Sequence, residues 1–175
     1  MKRILLSIAT LAVFAVTGYA QAPKLPYSDP GACPFECCTY REWTANADTT
    51  IYIQMRDGSA KAFTVRKGEK VRGVTGVVIT NRAGTATATV NTTIGLHNNI
   101  RVKKGDTLYL LTYQGEGFFK VWYKGRVIAD VEIDDRKLKV GKQPDAVWWV
   151  KVRNKKGKIG WSKLPDNFDN KDSCG

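Results

Sequence analysis

The chain has one histidine, two methionines, and no cysteine between Cys38 and Cys174. A single histidine, His97 in the polar stretch Gly95–Asn99, leaves no histidine cluster for a metal and no Cys–His pair for thiol catalysis. No nucleophile-elbow pattern surrounds any serine, and both glycine-rich phosphate-loop patterns are missing. Asp134 and Asp135 are adjacent, so on a strand they point to opposite faces and make a poor acid–base pair. No helical period runs longer than two turns. After residue 20 no apolar run is long enough for a membrane-spanning helix. Acids are scarce too: 16 Asp and Glu stand against 28 Lys and Arg, a formal charge of +12. The expectation is a non-enzymatic chain with no cofactor and no metal.

What is present begins with a leader. Lys2 and Arg3 precede the apolar run Ile4–Val16, and Gly18-Tyr19-Ala20 and Ala20-Gln21-Ala22 are small-x-small cleavage sites. This is the three-part pattern of a secretory signal peptide over 1–20. It places the mature chain in the periplasm or outside the cell. Loss of Lys2 and Arg3 lowers the +12 by two, and the remaining excess suits polyanionic partners rather than a specific nucleic-acid site. The basic residues are spread over loops, which also fits simple solvation of exposed strands.

The four cysteines sit at the two ends of the mature chain: Cys33, Cys37, Cys38 and Cys174. In an exported protein an even count implies disulfides, and four cysteines allow three connectivities. Adjacent Cys37 and Cys38 are the poorest pair. That leaves one bridge within 33–38 and one from this cluster to Cys174. A four-thiolate metal site is the alternative, but Cys174 has no second cysteine beside it.

Residues 21–47 read as a Pro/Cys-rich arm, extended at first, then anchored by Phe35, Tyr40 and Trp43. From Asp48 onward short strands alternate with Gly, Asn and Asp turns, the pattern of an all-β barrel or sandwich. Gly73 and Gly76 mark a bulge or bend. Asn81–Gly84 reads as a turn, 134–145 as a polar connection, and 167–175 as a polar tail anchored by Cys174. One segment echoes another: Phe63-Thr64-Val65-Arg66-Lys67-Gly68-Glu69-Lys70-Val71 and Ile100-Arg101-Val102-Lys103-Lys104-Gly105-Asp106-Thr107-Leu108 both carry a basic–Lys-Gly–acidic turn into a new strand. Such spacing indicates a duplicated unit. The hairpin 147–164 alternates with period two, turns at Asn154–Gly157 and returns through Trp161.

Trp149-Val150-Lys151-Val152-Arg153, followed by Lys156-Gly157-Lys158-Ile159-Gly160-Trp161, resembles the bacterial SH3-like (SH3b) family, as do the turns at 67–69 and 104–106. The resemblance covers 147–164 and, more loosely, 49–80 and 99–123. It implies small open barrels, here two in tandem over 48–98 and 99–166, that bind wall peptides or other extended ligands without catalysis. The expected function is a binding module for a cell-envelope ligand, either wall peptide or polyanion. The alternative is a disulfide-stapled domain that pairs with a protein partner through a barrel edge. Tyr113, Trp149 and Trp161 are expected partly exposed, and with Lys151 they are the candidate binding residues through stacking and cation–π contact.

Overall fold

The computed structural model describes residues 21–96 and 99–174; the leader and His97 lie outside them. Fifteen strands follow in order: β1 (Tyr27–Pro30), β2 (Glu42–Ala45), β3 (Thr49–Tyr52), β4 (Lys61–Val65), β5 (Lys70–Arg82), β6 (Gly84–Ala88), β7 (Thr92–Ile94), β8 (Ile100–Val102), β9 (Thr107–Gly115), β10 (Phe118–Tyr123), β11 (Arg126–Glu132), β12 (Leu138–Lys142), β13 (Asp145–Arg153), β14 (Ile159–Ser162) and β15 (Phe168–Asp169). Among the described residues the only helical element is the single turn Pro165–Asn167. The described residues are all-β, as the turn spacing of the sequence requires.

The strands divide between sheets differently from the division at 98/99. The largest sheet runs β15-β2-β5-β13-β14-β3-β4, with β1 beside β5; a second runs β11-β10-β9-β6-β12; β7 and β8 pair alone. The hairpin 147–164 therefore joins the first strands of the chain, not its immediate predecessors. The arrangement is nested: residues 42–82 and 145–169 form an outer unit, and 84–142 an inner one interrupting it. Only Ala83 separates β5 from β6, so the turn expected at Asn81–Gly84 is absent as a reversal. Chain neighbours usually pair; here the long, apolar β5 presents a better partner to β13, from Asp145↔Arg82 to Arg153↔Arg72.

The two units repeat each other's pairing at matching positions, except that β14 pairs β3 while the inner β11 has no such partner among the described residues. Trp43↔Val71 in β2–β5 matches Ala86↔Leu108 in β6–β9. Thr49↔Val65 in β3–β4 matches Thr92↔Val102 in β7–β8. Phe168↔Ala45 in β15–β2 matches Leu138↔Ala88 in β12–β6. Both long strands carry a bulge at the same place, where the pairing passes over Val74 against β13 and over Leu111 against β10. The sequence echo at 63–71 and 100–108 is thus part of a duplication extending through both units.

The turn 66–69 makes the outer sheet curl. β4 and β5 lie four strand positions apart in the sheet order, roughly 19 Å if flat at ~4.8 Å per strand. Yet Arg66–Glu69 links them as a tight turn, Glu69 N–H donating to Arg66 O at 3.0 Å. Its inner counterpart has Asp106 N–H on Lys103 O at 3.0 Å. Gly68 and Gly105 have φ of 83° and 88°, a region where a side chain would be strained.

Each curled unit encloses its own core. The outer core gathers Trp43, Ile51, Val65, Val71, Val150 and Phe168; the inner gathers Ile94, Val102, Leu108, Leu110, Val121 and Leu138. Size is exchanged at matching positions. Trp43 fills the space over Gly73, whose β-carbon would stand 2.6 Å from Trp43 Cε2. In the inner unit small Ala86 and large Leu110 occupy these places, both fully buried. Large and small residues swap so that filled volume is kept.

Three segments differ from their sequence reading. The tail 167–175 is held by more than Cys174: Phe168 is fully buried in the outer core. The connection 134–145 contains β12, whose Leu138 plays the matching part. At the other end, Trp43 belongs to a core strand rather than to the arm. The arm before it reaches both units: β1 pairs β5, and Asp29, 4 % exposed, meets Lys120 of β10 at 2.7 Å.

The bridges are Cys33–Cys38 and Cys37–Cys174. They realise the expected local and long pairing. The tail is laced to the arm beside them, with Thr39 N–H on Lys171 O at 2.8 Å and Ser173 N–H on Cys37 O at 2.9 Å. Closing a span of 137 residues stabilises the fold by about 4–5 kcal/mol through loop entropy.

Candidate functional site

A groove of about 680 Å³ opens between the turn 66–69 and the tip of the β13–β14 hairpin. Phe63, Glu69 and Lys70 line one side; Lys155, Lys156 and Lys158 line the other. Asn154 builds the basic wall. Its N–H donates to Lys158 O at 2.9 Å, its carbonyl accepts from Gly157 N–H, and its Oδ1 accepts the N–H of both Lys156 and Lys158 at 3.0 Å. An asparagine that satisfies following backbone amides is a turn former, and here it crowds three ammonium groups into one turn. None of the three pairs with an acid among the described residues, whereas Lys70 is bound to Glu42 at 2.7 Å. That contact holds the Glu42 carboxyl below its ordinary range. Glu69, the acid in the groove, is occupied locally, accepting Arg66 N–H at 2.9 Å. The surface left over is cationic with a small apolar floor at half-buried Phe63.

The candidate residues fall in three places. Lys151 and Trp161 are directly opposed on β13 and β14, with Lys151 Nζ 5.4 Å from the Trp161 ring centre. Trp161 also faces Tyr52 of β3, so a half-exposed aromatic–basic row crosses the outer face of the sheet. Trp149, expected partly exposed, is only 6 % exposed. It does alternate away from Val150, but its ladder partner Val77 is buried as well, so this end of the face is covered. Tyr113 is exposed and lies on the inner unit, edge-on to Phe119 with centroids 5.1 Å apart. It does not join Lys151 and Trp161 in one row.

The inward aromatics are structural. Trp148 meets Phe35, Tyr40 and Trp43 edge-on at centroid distances of 5.9, 6.4 and 6.5 Å. Gly76 lies beneath Trp148 Nε1 and the Tyr40 hydroxyl, leaving no room for a side chain. Burial pushes the Tyr40 phenol up to about 12, so it stays a donor, to Ala32 O.

The thiol cluster does not supply metal ligands in this state. Glu36, Cys37 and Cys174 bring their ligand atoms within 4.8 Å of one another, but both sulfurs are in the long disulfide, and a metal ligand must be a thiolate.

Sequence reasoning missed the groove lysines. Asn154-Lys155-Lys156-Gly157-Lys158 reads as a turn, and its charge as part of a scattered excess. The available signal was three lysines within one tight turn, a local density that solvation of strands does not require.

The inner unit has a groove at the corresponding place, about 630 Å³ between Ile100–Arg101 and the β10–β11 tip, with Tyr123, Lys124 and Arg126. Lys124 is held by Asp106 at 3.2 Å. The Tyr123 hydroxyl donates to the same carboxylate; this bond first, and the Lys103 N–H next, hold the Asp106 carboxyl below its ordinary range.

Compared with known proteins, the chain matches no family model, no curated protein and no solved structure.

Proposed function

We propose that this chain is an exported, non-catalytic binding module of SH3-like design whose ligand is an anionic polymer of the cell envelope. The observation that carries the reading is the groove of about 680 Å³ into which one turn presents Lys155, Lys156 and Lys158. Like charges crowded on one turn repel; a polyanion relieves the repulsion and releases its own counterions on binding. The row Lys151–Trp161–Tyr52 offers stacking and cation–π contact to the non-ionic parts of such a ligand. The two disulfides suit an oxidising compartment, in line with the leader pattern at 1–20. Two units curled through tight Lys-Gly-acidic turns support the SH3-like reading, with the nested order replacing a tandem one. The test is retention of the mature protein on purified cell wall at low and high salt. Salt-sensitive retention is expected; no retention in either condition sinks the proposal.

One observation favours a second reading, a protein partner added at a sheet edge. In the outer unit β14 is closed by β3 through Trp161↔Tyr52, while its inner counterpart β11 ends its sheet. An unpaired edge is a template for another strand. Amide-exchange protection confined to β11 on adding native extract would favour this reading; unchanged β11 exchange would remove it.

A further inference from the structure

We propose that the groove at the β10–β11 tip is a second anion site, so that one chain grips two segments of the same polymer. The inference rests on the anionic-ligand reading above and deepens it: the ligand is a repeating polyanion long enough to reach both grooves.

The two grooves occupy the same place in the duplicated unit. Phe63 and Ile100 stand at matching positions in the β3–β4 and β7–β8 ladders, opposite Ile51 and Ile94. The hairpin tips match as well: Val152↔Gly160 followed by Arg153↔Ile159 corresponds to Val121↔Ile128 followed by Trp122↔Val127. The positive charge is present in both grooves although different positions carry it. Arg101 stands where the outer unit has Thr64, and Thr107 where it has Lys70.

Among the described residues, the cations of the second groove without an acidic partner are Arg101 and Arg126, both exposed. Lys124 is engaged by Asp106 and lies 4.9 Å over the Tyr123 ring. Two guanidinium forks fit the paired oxygens of phosphate, sulfate or carboxylate. Arg126 is held by a two-residue turn, Lys124-Gly125, with φ of 46° and 86°, a rigid hairpin closure; Arg101 faces it from β8. Two grooves on one chain convert the second contact of a long polymer into an intramolecular step, which strengthens binding without new chemistry.

The experiment is calorimetric titration with inorganic polyphosphate, in short and long chains. The proteins are the mature wild type, the triple variant Lys155→Gln/Lys156→Gln/Lys158→Gln, the double variant Arg101→Gln/Arg126→Gln, and the combination of all five. All five side chains are exposed, and thermal unfolding checks that each variant keeps its fold. Wild type is expected to take two short chains and each partial variant one. Long chains should bind wild type on the order of 10²-fold tighter than short ones, an advantage that disappears in either partial variant. One short chain per wild-type molecule, with Arg101→Gln/Arg126→Gln indistinguishable from it, overturns the second site and leaves the first reading standing. No binding of either chain length by wild type removes both.

Discussion

Ala45 and Ala88 hold their turns by the same two bonds. Ala45 N–H donates to Glu69 O at 2.9 Å and its carbonyl accepts Gly68 N–H at 2.7 Å; Ala88 does so with Asp106 O at 2.9 Å and Gly105 N–H at 2.8 Å. The turn amides are tied alike, Lys67 N–H to Asp48 at 2.8 Å and Lys104 N–H to Asn91 at 2.9 Å. The Lys-Gly-acidic turn is therefore the repeated joint on which each unit curls.

Substitution at the joint should act through backbone conformation alone. Nothing lies within 4 Å of a β-carbon at Gly68 or Gly105. Gly68→Ala and Gly105→Ala should each destabilise by roughly 1–2 kcal/mol, the cost of a left-handed residue, read by denaturant unfolding. A neutral result at either position contradicts the turn geometry.

Gly73→Ala should fail for a different reason. Its β-carbon would press on Trp43 at 2.6 Å, in the centre of the outer core. Overpacking of this kind costs about 1–3 kcal/mol, and tryptophan fluorescence should shift with it. Unchanged stability and emission would mean that Trp43 does not lie over Gly73.

The two bridges should differ in weight. Removing Cys37–Cys174 by Cys37→Ser/Cys174→Ser opens a span of 137 residues and should cost about 4–5 kcal/mol. Removing Cys33–Cys38, with a separation of 5, should cost about 2 kcal/mol on the same loop-entropy model. Thermal unfolding ranks them, and non-reducing peptide mapping checks the pairing; a reversed ranking contradicts the greater weight of Cys37–Cys174.

Acid should loosen the inner unit through Asp106. Its carboxyl is held low by the Tyr123 hydroxyl first, then by Lys103 N–H and Lys124. A carboxylate with a lowered folded pKa contributes stability that is fully present above the unfolded value of about 3.9 and is lost as pH falls through the folded one. Asp106→Asn should lower stability at neutral pH and flatten the acid limb below pH ~4. An unaltered acid limb in the variant would rule this carboxylate out as a source of acid sensitivity.

Much of the fold was legible because its devices are local. A turn that needs positive φ shows its glycine, Gly68 and Gly105 alike, and clustered cysteines show their staple. The nesting was not legible, since nothing near Val147 announces that its partner is β5, far back in the chain. β12 and β15 escaped because each offers a single core residue, Leu138 or Phe168, within a polar stretch, and one residue has no period. The candidate site was legible in part. Lys151 and Trp161 meet because they face each other across one hairpin. Trp149 was misjudged because alternation reports which face a residue takes, not whether that face is covered. The groove was hidden because Lys70 and Lys155–Lys158 converge only after the sheet curls.

The most direct measurement of the central claim is the salt dependence of retention on purified cell wall, for the wild type and Lys155→Gln/Lys156→Gln/Lys158→Gln. In the nucleic-acid case, removing one lysine–phosphate pair lowers the slope of log affinity against log salt by about 0.7–0.9, and a comparable drop per lysine is expected here. Weaker retention and a shallower slope are expected in the variant, with an unchanged melting temperature. Retention and slope equal to wild type would contradict that claim.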